Sequence, residues 1–465
     1  MTAIALIIVF LMLLFFVLAG RMGKFMEASK KSGEEKNAER FGLSRGYLLA
    51  GGGLLVVALL AVVYAYIKDS PYEGHFFEWL NLLVRWFHIT IGIAWIGASF
   101  YFVFLENSLN RTKNLRDELA GNLWAVHGGG FYYLEKYKIA PNKIPEELHW
   151  FKYEAYFTWI SGVTLLFIVY YFNASGMLLD KNVADISPLT GIGIGIGAMV
   201  FSWVAYDLLC KTPLIKKGII FSLVGFLGIT FLAWFLSQFF SSRAVYIHVG
   251  AILGTMMAGN VFFIIIPAQK AMVNAAKENK PLNPELGEHA GLRSLHNNYM
   301  TLPVLFIMIS NHFPSTFGHE YQWAILAAIS LASAVIKHYH NLLEKGEPIV
   351  WLLPVGITMM LGVVFATAPK LNKDLCQEQV SFTQVYSIIQ ERCFSCHSSR
   401  PTDELYTAPP NGVNYETPEV IVNLKDKILQ RVVLTKTMPQ NNKTGMTQEE
   451  RDQIQCWIEQ GAVID

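Results

Sequence analysis

The feature that most constrains this chain is a series of long apolar runs that recur from the N-terminus to Ala368, with short polar joints between them. An α-helix rises about 1.5 Å per residue, so about 20 apolar residues span the roughly 30 Å hydrocarbon layer of a bilayer. Of the 465 residues, 53% are hydrophobic and only 16% are charged, which is too apolar for a soluble globular protein of this length. The sequence therefore predicts an all-α fold that begins as a polytopic helical bundle in a lipid bilayer.

We predict about ten spanning helices in this bundle. They cover residues 3–19, 47–67, 83–105, 155–173, 189–209, 217–238, 246–267, 298–312, 321–338 and 348–367. Charges follow the first run rather than precede it, which favours a retained helix over the alternative of a cleavable signal peptide. Beyond Ala368 no run is long enough to cross a bilayer, so we expect a membrane domain at residues 1–370 and a soluble domain at residues 371–465.

Lysine and arginine residues indicate which ends of the spans are cytoplasmic. Seven of them follow the first span, whereas the next joint, residues 68–81, has Lys68 as its only lysine or arginine. Later joints alternate in the same way, and cytoplasmic loops are enriched in these residues. Ten crossings then leave both termini outside, which predicts a bacterial inner membrane protein with residues 371–465 in the periplasm. The net charge of +1 gives no basic excess, which excludes a nucleic-acid-binding protein.

The soluble domain contains the motif Cys393-Phe394-Ser395-Cys396-His397, which has the Cys-x-x-Cys-His spacing of c-type haem attachment. Two thiols on one helical turn can each form a thioether with a haem vinyl group, and the adjacent histidine then ligates the iron. The alternatives are a thioredoxin-like dithiol, which needs a βαβ context, and half of a zinc site, which needs a second Cys pair. Neither context is present in the sequence, so the motif predicts a covalent haem c with His397 as an axial ligand.

Apolar residues at helical spacing flank the motif, as expected for the crossed terminal helices of a small class I cytochrome c domain. They include Val385 and Ile389 before the motif and Ile454 and Trp457 near the C-terminus. Such domains usually take a methionine sulfur as the sixth iron ligand.

Met438 and Met446 are the two candidates for that ligand. We favour Met438, because Pro439 keeps its loop extended, whereas Met446 opens the final helix beside a predicted N-cap. Cys376 and Cys456 either stay unpaired or form a disulfide, since both would face an oxidising compartment on neighbouring helices.

Four histidines near the ends of predicted spans suggest a second redox site. His88 and His248 are at the outer ends of two spans that run the same way, and His149 and His296 are at the cytoplasmic side of the spans that follow. Two His pairs at two depths would hold two b-type haems with axial imidazoles. The alternative is that these histidines cap helices or form hydrogen bonds, and that the glycines near them simply pack helices.

A further cluster lies in a long cytoplasmic joint, where His127 precedes three glycines and His149 is followed by Lys152. Glycine amides can face a planar anion, aromatic rings can stack on it, and a lysine or histidine can neutralise it. The alternative is a flexible turn with interfacial aromatic residues and the lysines that favour the cytoplasmic side.

Several segments together resemble the bacterial membrane-bound urate hydroxylases that are fused to a c-type cytochrome. They are Trp86-Phe87-His88, Gly92 to Ser99, His127 to Tyr132, His149 to Lys152, Thr158 to Gly162, Gly259 to Phe263 and the haem motif. The resemblance implies oxidation of urate to 5-hydroxyisourate in purine breakdown, with electrons leaving through the cytochrome instead of reducing oxygen to peroxide. It implies a soluble cytochrome c or a terminal oxidase as the electron acceptor.

Residue chemistry suggests the catalytic roles, to which the resemblance adds nothing. His127 or His149 could act as the base, because imidazole exchanges protons near neutral pH. Lys152 or Arg293 could hold the urate monoanion or a related purine. Two other functions stay open: a membrane cytochrome b and c that takes electrons from quinol without a purine site, and a transporter with an attached redox sensor.

Overall fold

The computed structural model of the protein describes most of the chain after residue 69. The described residues are 70, 72–112, 114–141, 143–368, 376, 378–403, 406 and 408–464. The predicted spans at residues 3–19 and 47–67 lie outside the described residues. Residues Leu83–Asp465 form one compact unit.

Most of the described chain is helical, as predicted. The helices before residue 369 are α1 (Glu73–Asn107), α2 (Tyr153–Leu166), α3 (Pro188–Cys210), α4 (Gly218–Leu236), α5 (Ser242–Gly259), α6 (Ile266–Lys277), α7 (Pro284–Ser310), α8 (Pro314–Phe317), α9 (Gln322–Glu344) and α10 (Leu352–Ala366). Wider π-helical turns follow α2 at Phe167–Tyr171 and Ala174–Leu178, and another at Asn260–Ile265 joins α5 to α6.

The all-α prediction missed one antiparallel hairpin, formed by β1 (Leu119–His127) and β2 (Gly130–Tyr137). Gly128 and Gly129 form its two-residue turn with φ angles of 57° and 79°. Two-residue hairpin turns of this kind need positive φ at both positions, which glycine adopts without steric cost. The glycine run that suggested an anion-binding loop therefore includes the turn of a hairpin.

Among the described residues, four helical segments are long and apolar enough to cross a membrane: α1, α3, α4 and the continuous segment Ser242–Lys277. They correspond to the predicted spans at 83–105, 189–209, 217–238 and 246–267. The other four predicted spans within the described residues do not reach this length and hydropathy. The reason is local: α7 and α9 each have a polar half, and α10 has only 15 residues.

Helix α5 lies at the centre of the bundle and is buried along most of its length. Its glycines allow close packing: a Cβ on Gly250 would lie 2.6 Å from Ile307 in α7, and one on Gly259 would lie 2.7 Å from Trp203 in α3. Gly195 of α3 also faces α5, because its Cβ would lie 2.8 Å from His248 Nε2. These contacts support the interpretation that the small residues pack helices.

We call residues 371–465 the C-terminal segment. Its described residues contain four further α-helices: α11 (Phe382–Cys393), α12 (Pro418–Asn423), α13 (Lys425–Ile428) and α14 (Gln448–Glu459). Capping boxes begin α11 and α14, with the side-chain pairs Ser381 and Gln384, and Thr447 and Glu450. Each box satisfies two backbone amides that lack a partner within the helix.

Side chains of α11 and α14 share one hydrophobic cluster, which includes Val385, Ile389 and Trp457. A disulfide joins Cys376 to Cys456, which resolves the alternative left by the sequence. The terminal helices of the segment therefore contact each other, as their apolar spacing predicted.

Candidate functional site

The two cysteines of the Cys-x-x-Cys-His motif lie on one turn at the end of α11. The amides of Cys396 and His397 both donate to the carbonyl of Cys393, at 3.2 and 2.8 Å. Both thiols are free of disulfides. Burial raises the pKa of the Cys393 thiol to about 12, because the apolar surroundings disfavour its charged form. Two neutral thiols thus lie close together in an apolar environment.

His397 is held with one ring nitrogen available. Its Nδ1 donates to the carbonyl of Val413 at 3.0 Å, so its Nε2 carries the lone pair. The ring of Tyr415 lies beside it, with 5.1 Å between the ring centroids. Burial lowers the pKa of His397, although the bond to Val413 opposes that shift. A neutral imidazole with an oriented Nε2 is what an axial ligand to iron requires.

Met438 lies in the hydrophobic cluster that also contains Cys393. Its backbone is fixed on both sides: its amide donates to Arg431 O at 3.0 Å, and its carbonyl accepts from Arg451 Nη1 at 2.8 Å. Met446 is buried in the same cluster. Cys393 and the two methionines therefore share one apolar cluster, and Cys396 and His397 lie on the turn that begins at Cys393. Two thiols, an imidazole and a thioether are the donors that a c-type haem needs.

Arg451, which sequence reasoning missed, is buried beneath this methionine loop. Besides Met438, its guanidinium donates to the carbonyl of Val432 and to Asn442 Oδ1. The sequence signal was an arginine within the apolar stripe of the last helix. A buried charge of this kind is stable only when hydrogen bonds satisfy its donors.

No group of three or more His, Cys, Asp or Glu side chains that could hold a metal ion occurs among the described residues. A haem iron does not need such a group, because the porphyrin supplies four of its ligands.

His88 and His248 contact different partners. His88 Nδ1 lies 3.1 Å from Thr158 O and 2.9 Å from Ser161 Oγ, and its Nε2 has no hydrogen-bond partner in the described part of the chain. His248 is fully buried.

Both ring nitrogens of His248 form hydrogen bonds. Nδ1 donates to Ala244 O at 2.8 Å, and Nε2 accepts from Tyr171 Oη at 3.1 Å. The ring of Phe240 packs on it at 4.7 Å. As arranged, His248 offers neither a free nitrogen nor space for a porphyrin, so this pair does not fit a b-type haem and we derive no step through one.

The inner pair, His149 and His296, is also separated. His149 is exposed and packs against Phe151, whereas His296 Nδ1 is hydrogen-bonded to Tyr206 Oη at 2.8 Å and its ring stacks on Phe221. The two imidazoles share no contact residue among these partners.

Three of the four predicted catalytic residues lie near the hairpin and the loop before α2. His127 is exposed beside the hairpin turn, and His149 is exposed in the loop. Lys152 is buried, with its ammonium over the rings of Trp150 and Tyr153. Arg293 is remote from these contacts: neither of its hydrogen bonds goes to a member of this group.

Arg293 belongs to a buried polar network inside the bundle. It pairs with Asp207 at 2.7 Å and donates to Asn260 Oδ1 at 3.0 Å. Asn260 in turn donates to Tyr206 Oη at 3.0 Å and to Asn297 Oδ1 at 2.8 Å. The sequence could have indicated this network, because Asp207 and Asn260 lie within apolar runs. Polar groups in such positions are costly unless they are paired.

The C-terminal segment is bound to the bundle through the residues that follow Met438. Gln440 Nε2 donates to Gly176 O at 2.6 Å, and Asn441 Nδ2 donates to the carbonyls of Gly176 and Leu179 at 3.0 and 2.7 Å. Asn182 Nδ2 donates back to Asn441 O at 3.1 Å.

A close backbone approach adds to these contacts. A Cβ on Gly318, between α8 and α9, would lie 2.8 Å from Thr435 O. We call these bonds and this approach the docking contacts. They connect the loop that carries Met438 directly to the bundle.

Comparisons with known proteins give one positive result. The family model described as urate oxidase N-terminal matches residues 74–368, which is more than half of the chain. Neither the curated proteins nor the solved structures include a match. The matched region contains the hairpin, the buried polar network and every helix of the bundle from Gly74 onward. The chain therefore belongs to the urate oxidase N-terminal family and is a urate-related oxidoreductase.

Proposed function

We propose that this protein is a membrane-bound urate hydroxylase that oxidises urate to 5-hydroxyisourate and passes the electrons to a haem c attached to Cys393 and Cys396. A soluble cytochrome c or a terminal oxidase then accepts them. The observation that carries this proposal is the joining, in one chain, of a urate oxidase family region to an oriented Cys-x-x-Cys-His site. The docking contacts support it, since they keep the haem site beside the bundle.

The overall reaction balances without oxygen. The urate monoanion and one water give 5-hydroxyisourate, one proton and two electrons, and the water oxygen becomes the new hydroxyl group. A haem iron takes one electron at a time, so each urate requires two transfers through the site. The haem supplies a one-electron acceptor between the purine and the external partner.

The chain's own residues have two tasks in this scheme. His397 Nε2 and the Met438 sulfur would be the protein ligands of the iron, and the hydrogen bonds to Val413 O and from Arg451 would hold these two residues in place. The base that accepts the proton is proposed to be His127 or His149. Both are exposed, so either can pass a proton to water.

Lys152 and Arg293 were predicted as anion-binding residues. Arg293 is paired with Asp207, and the Lys152 ammonium lies over the rings of Trp150 and Tyr153, so both remain proposals for the anion-binding residue.

We also propose that the bundle lies in a bacterial inner membrane with residues 371–465 in the periplasm. The candidate spans α3 and α4 bury only 22% and 17% of their most apolar windows, so most of that apolar surface is available to lipid. The disulfide between Cys376 and Cys456 suits an oxidising compartment. Labelling of an introduced C-terminal cysteine in intact spheroplasts tests this orientation.

The decisive experiment is anaerobic addition of urate to the purified full-length protein after oxidation with ferricyanide. We expect the absorption band of reduced haem c to appear as soon as urate has mixed with the protein. A variant with Cys393→Ala and Cys396→Ala should lose both the band and the haem stain that survives denaturing electrophoresis. Reduction by a quinol but not by urate would instead identify an electron-transfer protein without a purine site.

A further inference from the structure

A cavity of about 490 Å³ lies where the C-terminal segment meets the bundle. Its walls come from three parts of the bundle and one loop of the C-terminal segment: Met177, Asp180, Asn182 and Val183, then 237, 238 and 240–243, then 317–323, and finally 435–437 and 440–442. The volume is in the range of sites for small organic ligands, about 300–1,000 Å³. None of the site residues predicted from the sequence lines this cavity.

The cavity contains an arginine without an anionic partner. The guanidinium of Arg243 lies over the ring of Phe317, 5.5 Å from its centroid, and makes no ion pair or side-chain hydrogen bond with any described residue. This arrangement differs from that of Arg293, whose guanidinium is neutralised by Asp207. A guanidinium in this state has all its donors available for a planar anion.

A second group in the cavity wall also lacks a partner. Gln322 is only 5% exposed, and its Oε1 is buried with no hydrogen bond to any described residue. A buried acceptor without a donor costs about 1–3 kcal/mol, so native proteins rarely leave one unsatisfied. The oxygen itself is closed to solvent, so it would meet a ligand in the cavity only after rotation of the Gln322 amide.

Two further features fit a flat, polar ring. Phe317 and Trp323 provide aromatic surface in the wall. His319 Nδ1 accepts the amide of Tyr321 at 3.1 Å, so the neutral ring carries its proton on Nε2 as a donor.

Two carboxylates complete the charge around the cavity. Asp180 Oδ1 is engaged with the backbone and side-chain amides of Asn182, and Glu320 is exposed. Neither carboxylate forms an ion pair with Arg243 among the described residues, and Lys436 adds a second cation to the wall, so an anionic ligand is a complementary charge.

We propose that this cavity binds the urate monoanion, with Arg243 binding its oxygens and the amide of Gln322 rotating to accept one of its ring N–H groups. Urate combines the required properties, since it is planar, carries a delocalised negative charge and presents N–H donors beside carbonyl acceptors. The assignment rests on the proposed function. Because the cavity adjoins the outer ends of the predicted spans and His127, His149 and Lys152 lie in the predicted cytoplasmic joint, it replaces the substrate-contacting roles proposed for those three residues.

The position of the cavity gives the site a direct connection to the haem. The wall residues Thr437 and Gln440 lie immediately on either side of the Met438-Pro439 pair. Bound urate would therefore lie against the loop that carries the proposed iron ligand, and electrons would leave it without crossing the bundle.

Equilibrium binding of urate to the full-length protein tests this proposal. The haem is first reduced with ascorbate, so that no electron acceptor is available and urate is not consumed. We expect Arg243→Gln to weaken urate binding at least tenfold and Gln322→Met to weaken it several-fold. Arg243→Lys should retain part of the affinity, because it keeps the charge but loses the planar pair of donors.

Lys181→Gln is the matched control. Lys181 is an exposed cation between the wall residues Asp180 and Asn182, but it does not line the cavity, so its removal should change the affinity by less than twofold. Ascorbate reduction of each variant reports whether the haem site is intact. If Arg243→Gln does not fold, the urate affinities of Gln322→Met and Arg243→Lys test the proposal instead.

The outcomes separate this inference from the proposed function. If urate reduces the wild-type haem but Arg243→Gln and Gln322→Met bind urate as the wild type does, the cavity assignment is wrong and the proposed function stands. A loss of affinity in Arg293→Gln alone would move the site to the buried network and also overturn the assignment. If urate neither binds to nor reduces the wild-type protein, the proposed function itself fails.

Discussion

Replacement of Arg451 by methionine tests whether the Arg451 guanidinium holds the loop that carries Met438, the proposed iron ligand. The guanidinium is 4% exposed and donates to the carbonyls of Val432 and Met438. Methionine has a similar volume without any donor, so Arg451→Met removes these bonds while it keeps most of the packing. We therefore expect the variant to destabilise the loop specifically.

The magnitude follows from the carbonyls that lose their donor. Each orphaned carbonyl costs about 1–3 kcal/mol, and two of them give roughly 2–6 kcal/mol. Part of this loss is recovered, because the variant no longer buries a charge, and burial already lowers the pKa of Arg451. We expect the free energy of unfolding of the C-terminal segment to fall by roughly 2–4 kcal/mol.

Denaturant titration of the full-length protein, followed through the haem absorbance, measures this change. The weak long-wavelength band of methionine-ligated ferric haem reports the Met438 bond in the same samples, and it should diminish before the protein unfolds. Arg400→Met, an exposed arginine in the same segment, is the control and should leave both signals unchanged. An unchanged midpoint and band in Arg451→Met would refute the argument that this guanidinium holds the loop.

Three further predictions concern close packing and charge. Gly195→Ala should destabilise the bundle by roughly 1–3 kcal/mol through overpacking against α5, measured as a lower midpoint of thermal unfolding in detergent, whereas Gly193→Ala, which meets no atom within 4 Å, should not. Gly318→Ala should slow urate-driven haem reduction without affecting ascorbate reduction, because it separates the docking contacts, and Gly362→Ala should behave as the wild type in stopped-flow assays. Burial alone would raise the pKa of Glu450, but hydrogen bonds, chiefly from the adjacent arginine of α11, outweigh it and lower the pKa. That stabilisation is complete above the unfolded pKa of about 4.3 and is lost as the pH falls through the lower folded value, so Glu450→Gln should flatten the acid dependence of unfolding.

The spacing of residues that are close in the sequence predicted the individual helices and one helix cap. The spans around α3 and α4, the helices on either side of the haem motif and the N-cap at Thr447 all follow from spacing within about 20 residues. The hairpin was missed because its glycines were interpreted as a ligand loop. Their positive φ angles become evident only when the two strands pair.

The roles of the histidines could not be predicted in the same way, because they depend on partners far along the chain. His248 is satisfied by Tyr171, 77 positions earlier, and His296 by Tyr206, 90 positions earlier. A histidine at the end of an apolar run has the same local sequence whether it binds iron or a tyrosine. Similarly, Arg243 in α5 and Gln322 in α9 are 79 positions apart, and nothing in the local sequence of either indicates that they line one cavity.

The docking contacts within the chain differ in character from the contact with an external electron acceptor. They consist of side-chain amides bound to backbone carbonyls and one close approach at Gly318, with no ionised group among them. Salt therefore screens them little, and the haem site stays beside the bundle at any ionic strength. The encounter with a separate electron acceptor is diffusional, and its rate depends on the charges that surround the haem site. In the proposed function, electron entry therefore depends on contacts within the fold, whereas electron exit depends on a diffusional encounter with the acceptor.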